Sequence, residues 1–247
     1  MTLTQQQVDF FFENGYVSCG KVLDDKEIET LRGEYDREMH AAQESGAASN
    51  LSVTAADKAS GRAAPVKMLQ LMQMCERNIH FRRLIYHARI LDIVQDLVGP
   101  NIMLFHDQAL YKPPFTGGAV NWHQDNAYWR CAPATLVSCW LTLDDVVKEN
   151  GAMQVIPGSH LKPARHEKTS TERLIETQVD DSKALAVDLP AGGCMIHHCQ
   201  TLHYTQPNTT SRQRRAYAIH YMCPGTRGRE GEIMHAGFNH PVVRMAI

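Results

Sequence analysis

The stretch Asn121-Trp-His-Gln-Asp-Asn-Ala-Tyr-Trp129 carries two side chains that could bind a metal, His123 and Asp125, with one residue between them. If 119–125 is a strand, both project from the same face. An imidazole beside a carboxylate is two-thirds of the 2-His-1-carboxylate set that holds non-haem iron(II) and leaves coordination positions open. Such a pair also arises by chance in a chain with 13 histidines, so the rest of the sequence must supply a third ligand and a frame.

Two places late in the chain compete for the third ligand: His203 and the adjacent His197-His198. Both follow the turn Pro190-Ala-Gly-Gly193 and the apolar run Cys194-Met-Ile196. Neighbouring strand residues face opposite ways, so His197 and His198 cannot both reach one metal. Distance in sequence is no obstacle, since a jelly roll pairs strands far apart in the chain. Beyond His203, Arg214 opens the run Arg-Arg-Ala-Tyr-Ala-Ile-His-Tyr221, where it shares a strand face with Ala216, Ala218 and His220. A planar guanidinium on a face of alanines has room for a small carboxylate; a surface salt bridge is the plainer alternative. His40, His80 and His87 fall on expected helices and His235 and His240 in a Gly/Pro-rich tail, where surface or core roles are ordinary.

These residues need a scaffold, and the chain changes texture to provide one. Thr4 and Gln7 form a capping box for a helix over about 5–14 that Gly15 closes. Tyr16-Val-Ser-Cys19 reads as a strand, and Asp24 or Asp25 starts a helix with Ile28, Leu31, Tyr35 and Met39 on one face. Residues 44–66 are small and polar without periodicity and are expected to be a long loop, either a lid or a connector. Helices follow at 76–87 and 89–98, the second ending at Gly99-Pro100. From Asn101 onward short apolar runs alternate with turn signals, giving strands at 102–111, 119–125, 135–143, 152–156, 184–188, 194–198 and 214–222. The expected fold is mainly β with flanking helices, a jelly roll or double-stranded β-helix. One domain over 1–247 is expected, helical to about residue 100 with its β core at about 101–222.

Composition narrows the function classes. A hydrophobic share of 43% and a charged share of 21% over 247 residues describe an ordinary globular protein. A net charge of −2 argues against nucleic-acid binding. No apolar run reaches the length of a membrane span, and the start lacks a basic-then-apolar leader. Seven cysteines without a Cys-x-x-Cys suit reduced thiols in the cytoplasm, and Met245-Ala-Ile247 is not a Ser-Lys-Leu type address.

Taken in order, His123-Gln-Asp125, Glu149-Asn-Gly-Ala-Met-Gln-Val-Ile-Pro-Gly-Ser-His160, His203 with Thr205, and Arg214 resemble the phytanoyl-CoA dioxygenase family of iron(II)- and 2-oxoglutarate-dependent oxygenases. The likeness begins at Val8-Asp-Phe-Phe-Phe-Glu-Asn-Gly-Tyr-Val17 and runs to about Tyr221. The resemblance implies a double-stranded β-helix in which His123, Asp125 and His203 ligate iron(II). It implies that Arg214 pairs with the distal carboxylate of 2-oxoglutarate, with Thr205 as a second contact and Trp140 lining the pocket. Strand geometry adds Asn121, on the face of His123, as a possible cosubstrate contact. The resemblance further implies consumption of O2 and release of succinate and CO2, usually with hydroxylation of the substrate. Because Asp125 keeps the carboxylate, halogenation is disfavoured. His106 stands where several relatives carry Gln, which puts one cosubstrate contact in doubt, and His160 is read as holding a turn.

A small-molecule substrate is expected, its contacts sought among Asp107, Tyr128, Trp129, Arg130, Lys67, Arg227 and the 44–66 segment. No compact basic cluster offers a handle for coenzyme A or a nucleotide. Two other readings stay open: a jelly-roll metalloenzyme that uses the same ligands without 2-oxoglutarate, as an isomerase or hydrolase, and a non-catalytic binding protein of the same fold.

Overall fold

A computed structural model describes the chain apart from residues 62–63, 172–173, 229, 234–241 and 247, so His235 and His240 lie outside the described residues. Thr4 and Gln7 form the capping box of α1 (Gln5–Asn14), and Gly15 ends it at φ +81°. After β1 (Tyr16–Lys21), Asp24 and Glu27 cap α2 (Asp25–Glu44), which buries Ile28, Leu31, Tyr35, Met39 and Ala42.

The segment 44–66 departs from the expected loop. It carries β2 (Ser49–Asn50) and α3 (Ala55–Ser60). The start signal of α3 is a capping box between Thr54 and Asp57, with Asp in the place of the usual Glu or Gln. β3 (Leu69–Met72) then adds a strand that the sequence reading lacked. The helix expected at 76–87 is two pieces, α4 (Met74–Arg77) and α5 (Ile79–Leu84), before α6 (Ala88–Val98). The break is at Asn78, whose backbone is extended at φ −139° and whose side chain accepts from the His80 N–H to cap α5.

The β region comprises β4 (Ile102–Lys112), β5 (Val120–His123), the short helix α7 (Asn126–Trp129), β6 (Val137–Thr142), β7 (Met153–Val155), β8 (Glu167–Lys168), β9 (Ile175–Glu176), β10 (Leu185–Val187), β11 (Gly193–His198), β12 (His203–Thr205), β13 (Arg214–Met222) and β14 (Val242–Arg244). Among the described residues the major sheet runs β1-β11-β6-β13-β4-β3-β2, with β14 beside β4. The minor sheet runs β10-β7-β12-β5, and β8 and β9 form a separate ribbon. All pairings are antiparallel, and the result is the expected jelly roll.

Alternation along β13 divides the interior. Tyr217, Ile219 and Tyr221 face the helices and pack with Tyr35, Phe81 and Ile90. Ala216 and Ala218 face inward and pack with Trp140, Met153 and Val155 between the sheets. No helix among the described residues is long and apolar enough to cross a membrane.

Candidate active site between the two sheets

Register in the minor sheet brings the two histidines together. His123 on β5 lies directly opposite His203 on β12, and their ring centroids are 4.1 Å apart. Asp125 arrives differently from expectation. β5 ends at His123, and Asp125 has helical backbone (φ −54°, ψ −39°) at the start of α7. A chain turning into a helix, not strand alternation, therefore carries the carboxylate back toward the imidazoles. Its Oδ1 is 3.7 Å from Nε2 of both His123 and His203. One ligand atom from each of the three lies within 4.8 Å of the others, the one such cluster among the described residues.

The surroundings orient all three donors. His123 Nδ1–H donates to Asn121 O at 2.7 Å and His203 Nδ1–H to Thr201 O at 2.9 Å, so both Nε2 lone pairs face the cluster. Asp125 Oδ2 accepts from Ser138 Oγ at 3.0 Å and from His197 Nε2 at 3.1 Å, which leaves Oδ1 for an ion. Since Ser138 donates to Asp125, His220 Nδ1–H must donate to Ser138, at 2.7 Å, and His220 Nε2 accepts from the Gln108 amide at 3.0 Å. Gln124, between the two ligands, is buried with its amide bonded to Gln200 O at 2.6 Å, Lys162 O at 2.9 Å and Ala164 N at 2.8 Å.

Burial pushes the Asp125 carboxyl up, but His203, His123 and His197 outweigh it and hold it well below the ordinary carboxylate range. Burial, and then His123, hold His203 well below the ordinary imidazole value. An ionised carboxylate beside a neutral imidazole is the protonation state a divalent cation needs, so the donor set fits iron(II). Ser138→Ala frees Oδ2 from one of its two holders. The expected result is a metal affinity lowered about 10- to 100-fold, read by calorimetric titration with Ni(II) or Fe(II).

Acid should loosen this region in the metal-free protein. Burial takes His198 from 6.5 down to about 4, with His160 adding to the shift. The unfolded chain therefore binds protons that the folded one refuses between these values. Stability is expected to be full above about pH 6.5 and to fall progressively toward about pH 4. Urea midpoints at pH 7 and pH 5 check this; equal midpoints would contradict it.

The cluster lies on the wall of a cavity of about 340 Å³ that also meets Trp140, Thr205 and Arg214. Arg214 is 1% exposed and has no carboxylate partner among the described residues, which removes the surface salt bridge as its explanation. Its guanidinium stands 5.9 Å over the Trp140 ring and gives two bonds, 2.9 Å to Leu110 O and a longer one, 4.0 Å, to Met68 Sδ. Its Nε is buried without a partner. Burial lowers it only to about 10, so it stays charged. A buried cation with unused donors beside a metal-type cluster is what a carboxylate-bearing cosubstrate requires. The salt bridge belongs instead to Arg215 on the opposite face, which pairs with Asp144 at 2.6 Å and Asp36 at 2.8 Å.

Other expected contacts divide. Tyr128, Trp129 and His106 line the cavity. Of the 44–66 segment, Leu51 reaches it. Asn121 does not; its side chain is bonded to Glu176, and a register shift of β5 against β12 between Val120 and His123 breaks the alternation that would have put it on the His123 face. Asp107 belongs to the helix-facing core, where its carboxylate holds Tyr217 Oη at 2.8 Å and Cys75 N at 3.0 Å. Its position on β4 gives it the face opposite to His106 and Gln108. Arg130, Lys67 and Arg227 are exposed and do not border the cavity. His160 Nε2 meets Phe12 O at 3.1 Å, joining its turn to α1. The supporting roles of Ser138, His197, His220 and Gln124 are not legible in the sequence: His197 is weighed there only as a metal ligand, His220 only as a neighbour of Arg214 on one strand face, and Gln124 only as the residue between His123 and Asp125.

A family model for phytanoyl-CoA dioxygenase (PhyH) matches residues 11–216. The peroxisomal phytanoyl-CoA dioxygenase of Rattus norvegicus is 26% identical over 231 residues, covering 89% of this chain and 68% of the relative. A probable alpha-ketoglutarate-dependent hypophosphite dioxygenase of Stutzerimonas stutzeri is 30% identical over 147 residues, covering 56% of this chain and 51% of that one. Among solved structures, EvdO2 from Micromonospora carbonacea var. aurantiaca, complexed with 2-oxoglutarate, aligns with a TM-score of 0.69 at 27% identity over 90% of this chain and 92% of that one. The non-heme alpha ketoglutarate dependent carbocyclase SnoK shares the fold, with a TM-score of 0.76 at 23% identity over 97% of this chain and 96% of that one. With the family match spanning most of its length, this chain belongs to the phytanoyl-CoA dioxygenase family and is a non-haem iron(II)- and 2-oxoglutarate-dependent dioxygenase.

Proposed function

We propose that His123 Nε2, Asp125 Oδ1 and His203 Nε2 hold the iron, that Arg214, Thr205 and Trp140 hold 2-oxoglutarate, and that the enzyme hydroxylates a neutral small molecule. The observation that carries this reading is the buried Arg214 guanidinium, without a carboxylate partner among the described residues, in the same cavity as the three-donor cluster. A metalloenzyme without a cosubstrate has no use for that buried charge.

Iron(II) with 2-oxoglutarate supplies oxygen activation, with succinate and CO2 as the coproducts. The chain's own contribution is orientation and exclusion. Ser138 and His197 fix the rotation of Asp125, Trp140 walls the cosubstrate end, and Tyr128 and Trp129 close the cavity beside His123. Apart from Asp125 and Arg214, the lining has no Asp, Glu, Lys or Arg among the described residues. The substrate portion offers the amides of Gln70 and Gln108, the rings of His106, His220 and Trp129, and Met72. That mixture favours an uncharged molecule with a flat or apolar body and a few hydroxyl or carbonyl groups. The described cysteines are all free, which suits a reducing compartment such as the cytoplasm. We take residues 1–247 as one catalytic domain, because the helices share a core with the major sheet.

The test is spectroscopic and then chemical. Anaerobic protein with iron(II) should develop a visible charge-transfer band on addition of 2-oxoglutarate, and a screen of neutral compounds should include one that stimulates succinate release. Absence of the band would overturn the residue assignments. Stimulation confined to anionic compounds would overturn the substrate class.

A further inference from the structure

A second cation, Lys112, is buried beside Arg214. Lys112 ends β4 directly opposite Arg214 on β13, so both side chains leave the major sheet on the cavity side. It is fully buried and, among the described residues, has no carboxylate partner. Its ammonium crosses to the minor sheet and meets three oxygens: Thr205 O at 3.1 Å, Thr205 Oγ1 at 2.9 Å and Gln206 O at 2.5 Å.

Burial, and then Arg214, push the Lys112 pKa down. Three oxygens for three N–H groups oppose that shift, since each hydrogen bond favours the charged form. An ammonium only donates, so the Thr205 hydroxyl must be the acceptor in their bond. The hydroxyl proton then points elsewhere, and it has no protein acceptor among the described residues. Thr205 lines the cavity together with Arg214. The cavity thus has at one end a hydroxyl free to donate and a buried guanidinium without a carboxylate partner among the described residues.

Gly151 keeps this arrangement open. At φ +95° it turns the chain after Asn150, and a Cβ there would stand 3.1 Å from Lys112 Cδ and 3.2 Å from Nζ. The Asn-Gly turn of Glu149-Asn-Gly-Ala-Met is shaped around the lysine arm.

We propose that Lys112 is a positioning residue for the cosubstrate: by filling the acceptor side of the Thr205 hydroxyl it turns that hydroxyl into a donor for the distal carboxylate bound by Arg214. Selectivity for a dicarboxylic 2-oxo acid then belongs to the trio Lys112, Thr205 and Arg214. This rests on the 2-oxoglutarate site proposed above.

The test titrates anaerobic iron(II)-loaded protein with 2-oxoglutarate and with 2-oxopentanoate, in which a methyl replaces the distal carboxylate, following the visible band. Wild type should prefer 2-oxoglutarate. Lys112→Met should weaken 2-oxoglutarate binding by about tenfold to a hundredfold and leave 2-oxopentanoate within about twofold, narrowing the preference. Thr205→Val should narrow it as well, and the double variant should be no weaker than the weaker single one, since both act on one hydrogen bond. Unchanged preference in Lys112→Met, or equal weakening of both acids, would overturn the proposal, as would additive losses in the double variant. If Lys112→Met does not fold, Thr205→Val decides alone: unchanged preference overturns the proposal. A wild type that gives no band with either acid refutes the cosubstrate site itself, a different outcome from a band insensitive to Lys112.

Discussion

Asp125→Ala is expected to abolish turnover, by at least about a thousandfold, because a tridentate site reduced to two imidazoles no longer holds a hard divalent ion at working concentrations. The loss reaches beyond one ligand. Ser138 Oγ and His197 Nε2 both donate to this carboxylate, and His220 is ordered through Ser138. Their orphaned donors should cost the metal-free protein about 1–3 kcal/mol, partly offset because a buried charge is removed. Two measurements separate these effects. Melting of the wild type should rise when Ni(II) or Fe(II) is added, by mass action, whereas melting of the variant should not respond. A variant that still gained stability from metal would show that Asp125 is not a ligand.

Arg214→Met should raise the 2-oxoglutarate concentration needed for half-saturation on the order of a hundredfold to a thousandfold, the range for losing one partner of a buried charged pair. Its effect on stability should have the opposite sign. In the free enzyme the guanidinium is 1% exposed, bonds only to Leu110 O and Met68 Sδ, and has no carboxylate in salt-bridge contact among the described residues. Methionine fills much of the same space against Trp140 and Met68 without the desolvation penalty. The variant is expected to melt at the same temperature as wild type or higher while failing to bind cosubstrate. A variant that melted lower and still bound 2-oxoglutarate normally would assign Arg214 to the scaffold.

The parts of the fold that sequence alone makes legible are those set by neighbours in the chain. Thr4 with Gln7 and Asp24 with Glu27 place two helix starts, and the period of Ile28, Leu31, Tyr35 and Met39 places the buried face of α2. The alternation of Arg214, Ala216, Ala218 and His220 against Tyr217, Ile219 and Tyr221 separates cavity from core on β13. What stays hidden depends on strand register. His203 meets His123 only because β12 pairs with β5, and Lys112 meets Thr205 only because two sheets face each other. Asp125 is the informative case. Its partnership with His123 is visible in the spacing, yet the geometry comes from helical backbone, which a His-x-Asp pattern cannot distinguish from a strand. Asp107 fails for the reverse reason: a charged residue in a strand next to His106 suggests a site, and only the sheet shows that it faces the helices.

The turn that delivers Asp125 also delivers the cavity wall. The N–H groups of Tyr128 and Trp129 both donate to Asp125 O, at 3.0 and 3.3 Å, so the proposed iron ligand and two aromatic walls are tied into one turn. Retailoring this enzyme for another substrate by changing Tyr128 or Trp129 would therefore disturb the metal as well. The opposite wall differs along β3: Gln70 is bonded to Gln108, which reaches Asp125 through His220 and Ser138, whereas the Met72 side chain stands outside that chain. At Met72 the substrate range can drift, in nature or in directed evolution, while the oxidising centre stays unchanged.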